Sequence, residues 1–362
     1  MMKKASSSFD KAWIRRLKKN KGAMAGLFII ACTLLISLFG YFIAPDSSPY
    51  ANRIILEIGG EKPGFRQLFL LVKRGPPAQP GVLQAALHGK EDKVEYVPIT
   101  SWKKTADGIF VNKYIDEGVT EGRNYPMADL EENPVVEKKF LLGTDKYGRD
   151  ILSRLIIGTR VSLSVGFITV LISLTIGVIL GSLAGYFRGK TDDVIMWVVN
   201  IIWSIPTLLL VFAITLLLGK GFWQVFVGVG LTMWVNVARL VRGQVLAAKE
   251  LQYIEAAKVL GFSHLRIIGR HILPNIMGPI LVIAASNFAS AIVIEAGLSF
   301  LGIGVQPPQP SWGLMIKENY NFIITQNPML ALAPGFAIMI LVLSFNLLGN
   351  GLRDALNVRS KI

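Results

Sequence analysis

Six stretches of this chain are long and apolar enough to cross a bilayer, and they limit what it can fold into more than any other feature. A crossing helix needs about 20 mainly apolar residues, because the hydrocarbon core is roughly 30 Å thick and a helix rises about 1.5 Å per residue. The stretches lie near 22–44, 161–187, 194–218, 222–238, 278–304 and 329–349, with 222–238 the shortest. Each is apolar around most of its circumference, which marks a span rather than a surface helix. The first exceeds the roughly 7–15 apolar residues of a signal peptide and lacks a small-residue cleavage site, so it reads as an uncleaved anchor.

Charge orients these spans. The net charge of +14 could point to nucleic acid or to an anionic membrane surface. The tail 1–21 carries eight Lys or Arg and one acid, which places it in the cytoplasm by the positive-inside rule. Six crossings then bring the C-terminus to the same side. The inner segments 1–21, 188–193, 239–275 and 351–362 together hold 19 basic and 6 acidic residues, and the long outer segment 45–160 holds 17 and 16. Almost all of the excess charge therefore sits on one face. The short outer loops carry only Lys220, Lys317 and Glu318, and Tyr41, Tyr186, Trp223 and Trp312 fall near the membrane interfaces. Nucleic-acid binding is not needed to explain the charge.

Five segments follow: a basic tail 1–21, a first transmembrane helix 22–44, an extracytoplasmic insert 45–140, a core 141–350 with five further helices and an inner loop 239–275, and a tail 351–362. The insert is too long for a structureless loop. Leu68–Val72 and Lys93–Ile99 are strand-like, and Gly108–Tyr114 follows the turn signal Asp107–Gly108. Gly75–Pro76–Pro77 and Pro80–Gly81 punctuate the rest. A small, partly β domain is expected, either a decorated loop or a docking surface for an external partner.

Catalysis finds little support. One cysteine, Cys32, excludes an intrachain disulfide framework, and three histidines leave little for a metal centre. Gly185–Thr191 resembles the end of a phosphate-binding loop, but Ala184 stands where such a loop needs glycine, and an apolar span precedes it. No nucleophile elbow or zinc spacing is present.

The inner loop holds the strongest motif: Glu255-Ala256-Ala257-Lys258-Val259-Leu260-Gly261, then His271-Ile272-Leu273-Pro274. On a helix, Tyr253, Ala256, Ala257 and Leu260 share one apolar-to-small face, and Gln252, Glu255 and Lys258 lie along a polar one. Gly261 can take a positive φ and end the helix. This is either a docking element or an ordinary interfacial helix.

The pattern resembles the coupling-loop signature of permease subunits of bacterial ABC importers. Leu142-Gly143-Thr144-Asp145-Lys146-Tyr147-Gly148-Arg149-Asp150, running on to Arg154, is similar to the segment before the second span in the oligopeptide/dipeptide importer family, in its C-type subunit. Gly158–Leu163, Glu295–Gly302 and Pro310–Gly313 continue the likeness. His271 stands where the family usually has Ile. The resemblance covers roughly 1–45 and 140–362 and leaves the long insert out.

It implies an all-α polytopic membrane fold of the type I ABC importer permease class, with six transmembrane helices and a small, partly β extracytoplasmic insert, in a bacterial inner membrane with both termini cytoplasmic. It implies a second homologous permease subunit, two ABC ATPase subunits that bind ATP and Mg, and an extracytoplasmic substrate-binding protein that delivers di- or oligopeptides; nickel chelates, opines or sugars are related alternatives. This chain itself would hold no cofactor or metal. Glu255, Ala256, Ala257, Gly261, Leu273 and Pro274 would form the ATPase-coupling loop.

Other polar residues stand out by position. Glu295 falls inside a span, where an ionised carboxylate costs at least a few kcal/mol. It belongs either to the translocation path or a permease interface, or to a local hydrogen bond, with Ser286, Asn287 and Ser290 as nearby donors. Asn200, Ser204 and Pro206 are weaker candidates, and Pro206 is expected to kink its helix. Asp145, Arg149, Asp150 and Arg154 precede the second span. Asp150 and Arg154 can pair at four-residue spacing, and the set could snorkel to water or contact the binding protein. A stand-alone secondary transporter and a membrane-anchored receptor are the rival classes. The first would show internal repeats, and the second would not need five further spans.

Overall fold

The computed structural model describes residues 12–75, 81–219, 221–324 and 327–356. Much of the two tails, Pro76, Pro77, Pro80 and Lys220 lie outside them. Among the described residues, five helices are long and apolar enough to cross a membrane: α1 (Lys21–Ile43), α3 (Ile151–Phe187), α6 (Phe222–Lys249), α8 (Leu273–Phe300) and α10 (Met329–Leu356). For α8 the apolar run begins at His264, through a π-helical stretch Ile267–Ile272. A sixth crossing is possible only through a bent pair, α4 (Gly189–Ser204) and α5 (Thr207–Leu218). The short helices α2 (Val82–His88), α7 (Gln252–Val259) and α9 (Trp312–Asn319) lie between them in the chain.

The bent pair covers the stretch expected as one span over 194–218, with a break where Pro206 was expected to kink it. The two helices meet at 95°. Proline disfavours helical geometry in the residue before it, and Ile205 is extended at ψ 131°. Pro206 also offers no N–H, so the helix stops at Ser204 and restarts at Thr207 rather than bending. Helix α6 is longer than expected. The arginines at 239 and 242 lower the local hydropathy, yet Val241, Val245 and Ala248 remain buried along one face and carry the helix to Lys249.

The chain divides into two compact units. The first takes Met1–Thr33, Ser162–Val305 and Ile338–Ile362. Within it, Gly177, Gly181 and Gly185 form a row at four-residue spacing on α3. A Cβ at Gly177 would lie 2.5 Å from Val237 Cβ, one at Gly181 2.5 Å from the Ala238 carbonyl oxygen, and one at Gly185 2.8 Å from the Arg242 oxygen. Only glycine allows this approach, the close-packing mode favoured between helices that have no hydrophobic drive toward each other in lipid.

The second unit, Leu34–Val161 and Gln306–Ala337, contains a five-stranded antiparallel sheet. Its strands are β1 (Phe65–Lys73), β2 (Val94–Lys104), β3 (Gly108–Asp116), β4 (Val119–Pro126) and β5 (Leu130–Phe140), in the order β4-β3-β2-β1-β5. Alternation along β1 places Leu68, Leu70 and Val72 against Val97, Ile99, Ile109 and Val111. Phe65 and Phe69 point the other way, to Ile55, Ile58 and Phe140. The first three strands cover the segments read from sequence, apart from Lys93, which precedes β2. The last two had no such signal: β4 is almost entirely exposed and polar, and β5 contains Pro134. That proline falls where the β1–β5 pairing skips from Val135 to Leu130, an irregularity that tolerates a missing N–H.

Candidate functional site

The inner-loop motif folds as α7, which stands on two side chains. Ile254 and Ala257, three residues apart, are buried against Val245, Ala248, Ile267, Ile268 and Ile272. This corrects the expected face: Ala257 turns inward with Ile254, while Tyr253, Ala256 and Leu260 are exposed. Gly261 ends the helix at φ 73°. Its N–H donates to the Lys258 carbonyl at 2.9 Å and that of Phe262 to Ala257 at 3.2 Å, the paired bonds of a Schellman cap. The cap leaves Val259 at 87% and Leu260 at 72% exposure, with Leu265 nearby at 76%. These are large aliphatic side chains left open beside a short helix.

Both ends of the motif are held. Asn275 Nδ2 donates to the Tyr253 hydroxyl at 2.9 Å and to the His271 carbonyl at 2.7 Å, so the residue after Leu273-Pro274 is tied back to α7. His271 stacks on Phe262 with ring centroids 5.7 Å apart. Around it, Lys249 Nζ donates to the Tyr186 carbonyl at 2.6 Å, the Tyr186 hydroxyl meets His264 Nδ1 at 2.9 Å, and Arg242 forms a two-pronged pair with Asp192 at 2.5 Å. These bonds tie α7 to α8 through Tyr253 and Asn275, and the end of α6 to Tyr186 through Lys249. No sequence pattern marked these partners, since they are far apart in the chain.

The polar residues before the second span turn out differently from expectation. Asp145, Arg149, Asp150 and Arg154 are all buried, between 0% and 6% exposed. They neither snorkel nor present a surface to an external partner in this conformation. Asp150 does not pair with the Arg154 side chain. Its carboxylate accepts from the Ser153 N–H at 2.9 Å and from the Ser153 hydroxyl, making it the N-cap of α3. Burial pushes the Asp150 carboxyl above its ordinary range against the pull of those bonds.

Arg149 Nε donates to Asp145 at 2.6 Å, and Arg149 and Arg154 share Glu318 Oε2 at 2.8 and 3.3 Å. Two cations and two anions thus neutralise one another out of water. Removing one member of such a set strands a buried charge, at about 3–5 kcal/mol. Glu318, expected only as a loop charge, is the residue that sequence reasoning missed.

The candidates for the translocation path separate as well. A hollow of about 550 Å³ is lined by Asn287 and Ser290, with Ser286, Asn236 and Asn346. Glu295 and Asn200 are not among its lining residues. Glu295 is buried and accepts from the Ser299 hydroxyl at 2.6 Å, four residues on along the same helix face. Asn200 is exposed and accepts from Arg239 Nη2 at 2.6 Å.

Comparison with known proteins gives a consistent result. Residues 177–362 match the family described as binding-protein-dependent transport system inner membrane component. Residues 8–56 match the N-terminal TM domain of oligopeptide transport permease C. The dipeptide transport system permease protein DppC of Bacillus subtilis is 32% identical over 356 residues, 98% of this chain and 88% of its own length. DppC of Lactococcus lactis is 34% identical over 359 residues, 99% and 92% of the two chains. The glutathione transport system permease protein GsiD of Pectobacterium atrosepticum is 43% identical over 220 residues, 61% and 73% of the two chains.

Proposed function

The chain belongs to the family of binding-protein-dependent transport system inner membrane components, and from that premise we propose that it forms one side of a peptide importer driven by separate ATPase subunits. It is a multi-pass membrane permease subunit of an ABC-type importer, a transport component rather than a catalytic enzyme, and its family implies a multi-subunit complex. The finer reading assigns it a second, homologous permease, two cytoplasmic ATPases that hold ATP and Mg, and an external binding protein. Di- or oligopeptides are the substrates, in keeping with the dipeptide, oligopeptide and glutathione permeases it is similar to. The bent pair α4–α5 counts as one crossing, and both termini lie in the cytoplasm.

The observation that carries this reading is α7. A helix anchored by Ile254 and Ala257, closed at Gly261 and bearing bare Val259 and Leu260 fits a cleft on a partner. Closure of the ATPases around ATP displaces that helix. The displacement reaches α8 through the π-helical stretch Ile267–Ile272 and α6 through Glu250 and Leu251. Glu255 and Lys258, both exposed, offer the polar contacts at the rim.

Affinity purification of the tagged chain from its native membrane in mild detergent tests the assignment. The wild type should bring a second permease and ATP-binding subunits. Leu260→Asp should lose the ATPases by at least tenfold and keep the second permease, because Leu260 supports nothing inside the chain. ATPases retained undiminished by this variant would sink the assigned docking surface, and a wild-type chain purified alone would sink the importer assembly.

A further inference from the structure

Between Arg74 and Lys90 the insert has no Asp, Glu, Lys or Arg, although charges crowd the segments on either side. Part of that run folds as α2. Its Ala85 is buried, whereas Leu83 and Leu87 stand open at 75% and 56% exposure. The two leucines are four residues apart and share one face of the helix.

One guanidinium fixes where α2 lies. Arg160 Nε donates to the Ser37 carbonyl at 2.6 Å and Nη2 to the Leu38 carbonyl at 2.9 Å, both on α1. The same side chain donates through Nη2 to the Ala86 carbonyl at 2.6 Å and through Nη1 to the Leu87 carbonyl at 2.9 Å, both on α2. Just beyond α2, the Lys90 N–H donates to the Ser47 carbonyl at 2.8 Å. A Cβ at Gly89, where φ is 84°, would lie 2.8 Å from Tyr41 Cε1, so the chain passes directly against the end of α1. The last turn of α2 is thus held beside Leu38.

Leu38 lies at membrane depth. From Gly22 to Ile43, α1 carries no charge. That length, roughly 33 Å at 1.5 Å per residue, is about the thickness of the hydrocarbon core, so Ile43 marks the edge of the core on the side of the insert. Leu38 sits about 7 Å inside that edge along the helix. An interfacial helix sinks its apolar face about 5–10 Å into the boundary of headgroups and acyl chains. Leu35, Leu38, Phe39 and Phe42 of α1 are each more than half exposed, as lipid-facing side chains are.

The backbone of α2 is prepared for the same surroundings. The last carbonyls of a helix have no partner within it, and in lipid no water is there to supply one. Those of Ala85, Ala86 and Leu87 are all taken, the first by the Gly89 N–H at 3.0 Å and the others by Arg160. Lys90 and Glu91, both exposed, stand where the chain returns to water.

We infer that α2 is a lipid anchor of the insert, lying in the membrane interface beside α1 with Leu83 and Leu87 among the acyl chains. The uncharged run lets this segment enter the boundary, and Arg160 sets its depth.

The test uses the complete importer, freed of other cysteines, in vesicles of phosphatidylethanolamine and phosphatidylglycerol. Leu83→Cys, Leu87→Cys and, as a control on β2, Lys103→Cys each carry an NBD fluorophore. Phosphatidylcholine with a nitroxide near the glycerol end of its acyl chain should quench the labels at 83 and 87 at least threefold more than the one at 103. Iodide in the buffer should reverse that order. The two leucines are read separately, so a variant that disturbs assembly leaves the other to report. Iodide quenching at 83 and 87 equal to that at 103 would place α2 in water and overturn the anchor. Labels shielded from both nitroxide and iodide would assign the leucines to a contact with the second permease and overturn it too. Neither result bears on the importer assembly, which purification of the tagged chain tests separately.

Discussion

Lys138 holds its ammonium 3.9 Å from the centroid of the Tyr96 ring, and Arg53 Cζ lies 4.1 Å from the same centroid. Arg53 is already committed to Asp92 and Asp46, so Lys138 gains only a general attraction from Asp46, Asp92 and Asp150. Burial first, and the charge of Arg53 second, lower its pKa from 10.5 to about 8. The folded value lies below the unfolded one. Above pH 10.5 the amine is neutral in both states and costs nothing. As pH falls toward 8 the unfolded chain takes a proton that the fold resists, and stability drops. The expected effect is on the order of 1–2 kcal/mol after allowance for solvent screening. Thermal unfolding of the purified chain at pH 8 and pH 10 checks it: Lys138→Met should gain on the wild type at pH 8 and lose that gain by pH 10. Parallel pH profiles for the two proteins would remove Lys138 as the cause. Neither this cluster nor the Arg149–Arg154–Glu318 set was legible beforehand. Sequence distance hides such partners, and an arginine before a span reads as a surface anchor until its buried acceptor is located.

The legible element was α7. Its small residues, its glycine end and its distance from Leu273-Pro274 all follow from local rules of helix formation and capping. The inward face did not follow, because only the position of Ile267 and Ile272 decides which side chains of α7 are buried. Gly261 has open space around it, so a substitution there meets no clash and acts through the backbone alone. A β-branched residue forced to φ 73° costs about 1–2 kcal/mol or more and favours unwinding the cap. Gly261→Val is expected to assemble but to hydrolyse ATP with transport reduced at least tenfold, and full transport in reconstituted vesicles would refute that. The glycine row on α3 was not read from the sequence, and its meaning needed α6 beside it. The break at Pro206 shows the converse: proline announced a disturbance, but its size, a turn of 95°, is not set by the local sequence.

At the scale of the molecule, the excess of basic residues on one set of loops predicts sidedness. With Cys32 replaced by Ser, single cysteines at Lys18, Lys103 and Lys258, all exposed, report it. Lys103→Cys should react with an impermeant maleimide in intact spheroplasts, and Lys18→Cys and Lys258→Cys only after the membrane is opened. Reaction of the Lys103 and Lys258 positions from one side would reject the topology. Apolar runs and charge bias are local or additive properties, which is why the membrane class could be read directly from the residues, while the transport role came from the resemblance of the coupling motif to a known family. Which polar side chains meet is neither local nor additive. Glu318 finds Arg154 across 164 positions, Asn287 lines a hollow while Glu295 bonds along its own helix, and a polar strand such as β4 persists because β3 completes its hydrogen bonds. Those pairings depend on distances that exist only once the helices and strands have packed, and they decide where a charge is buried and which polar side chains line a hollow.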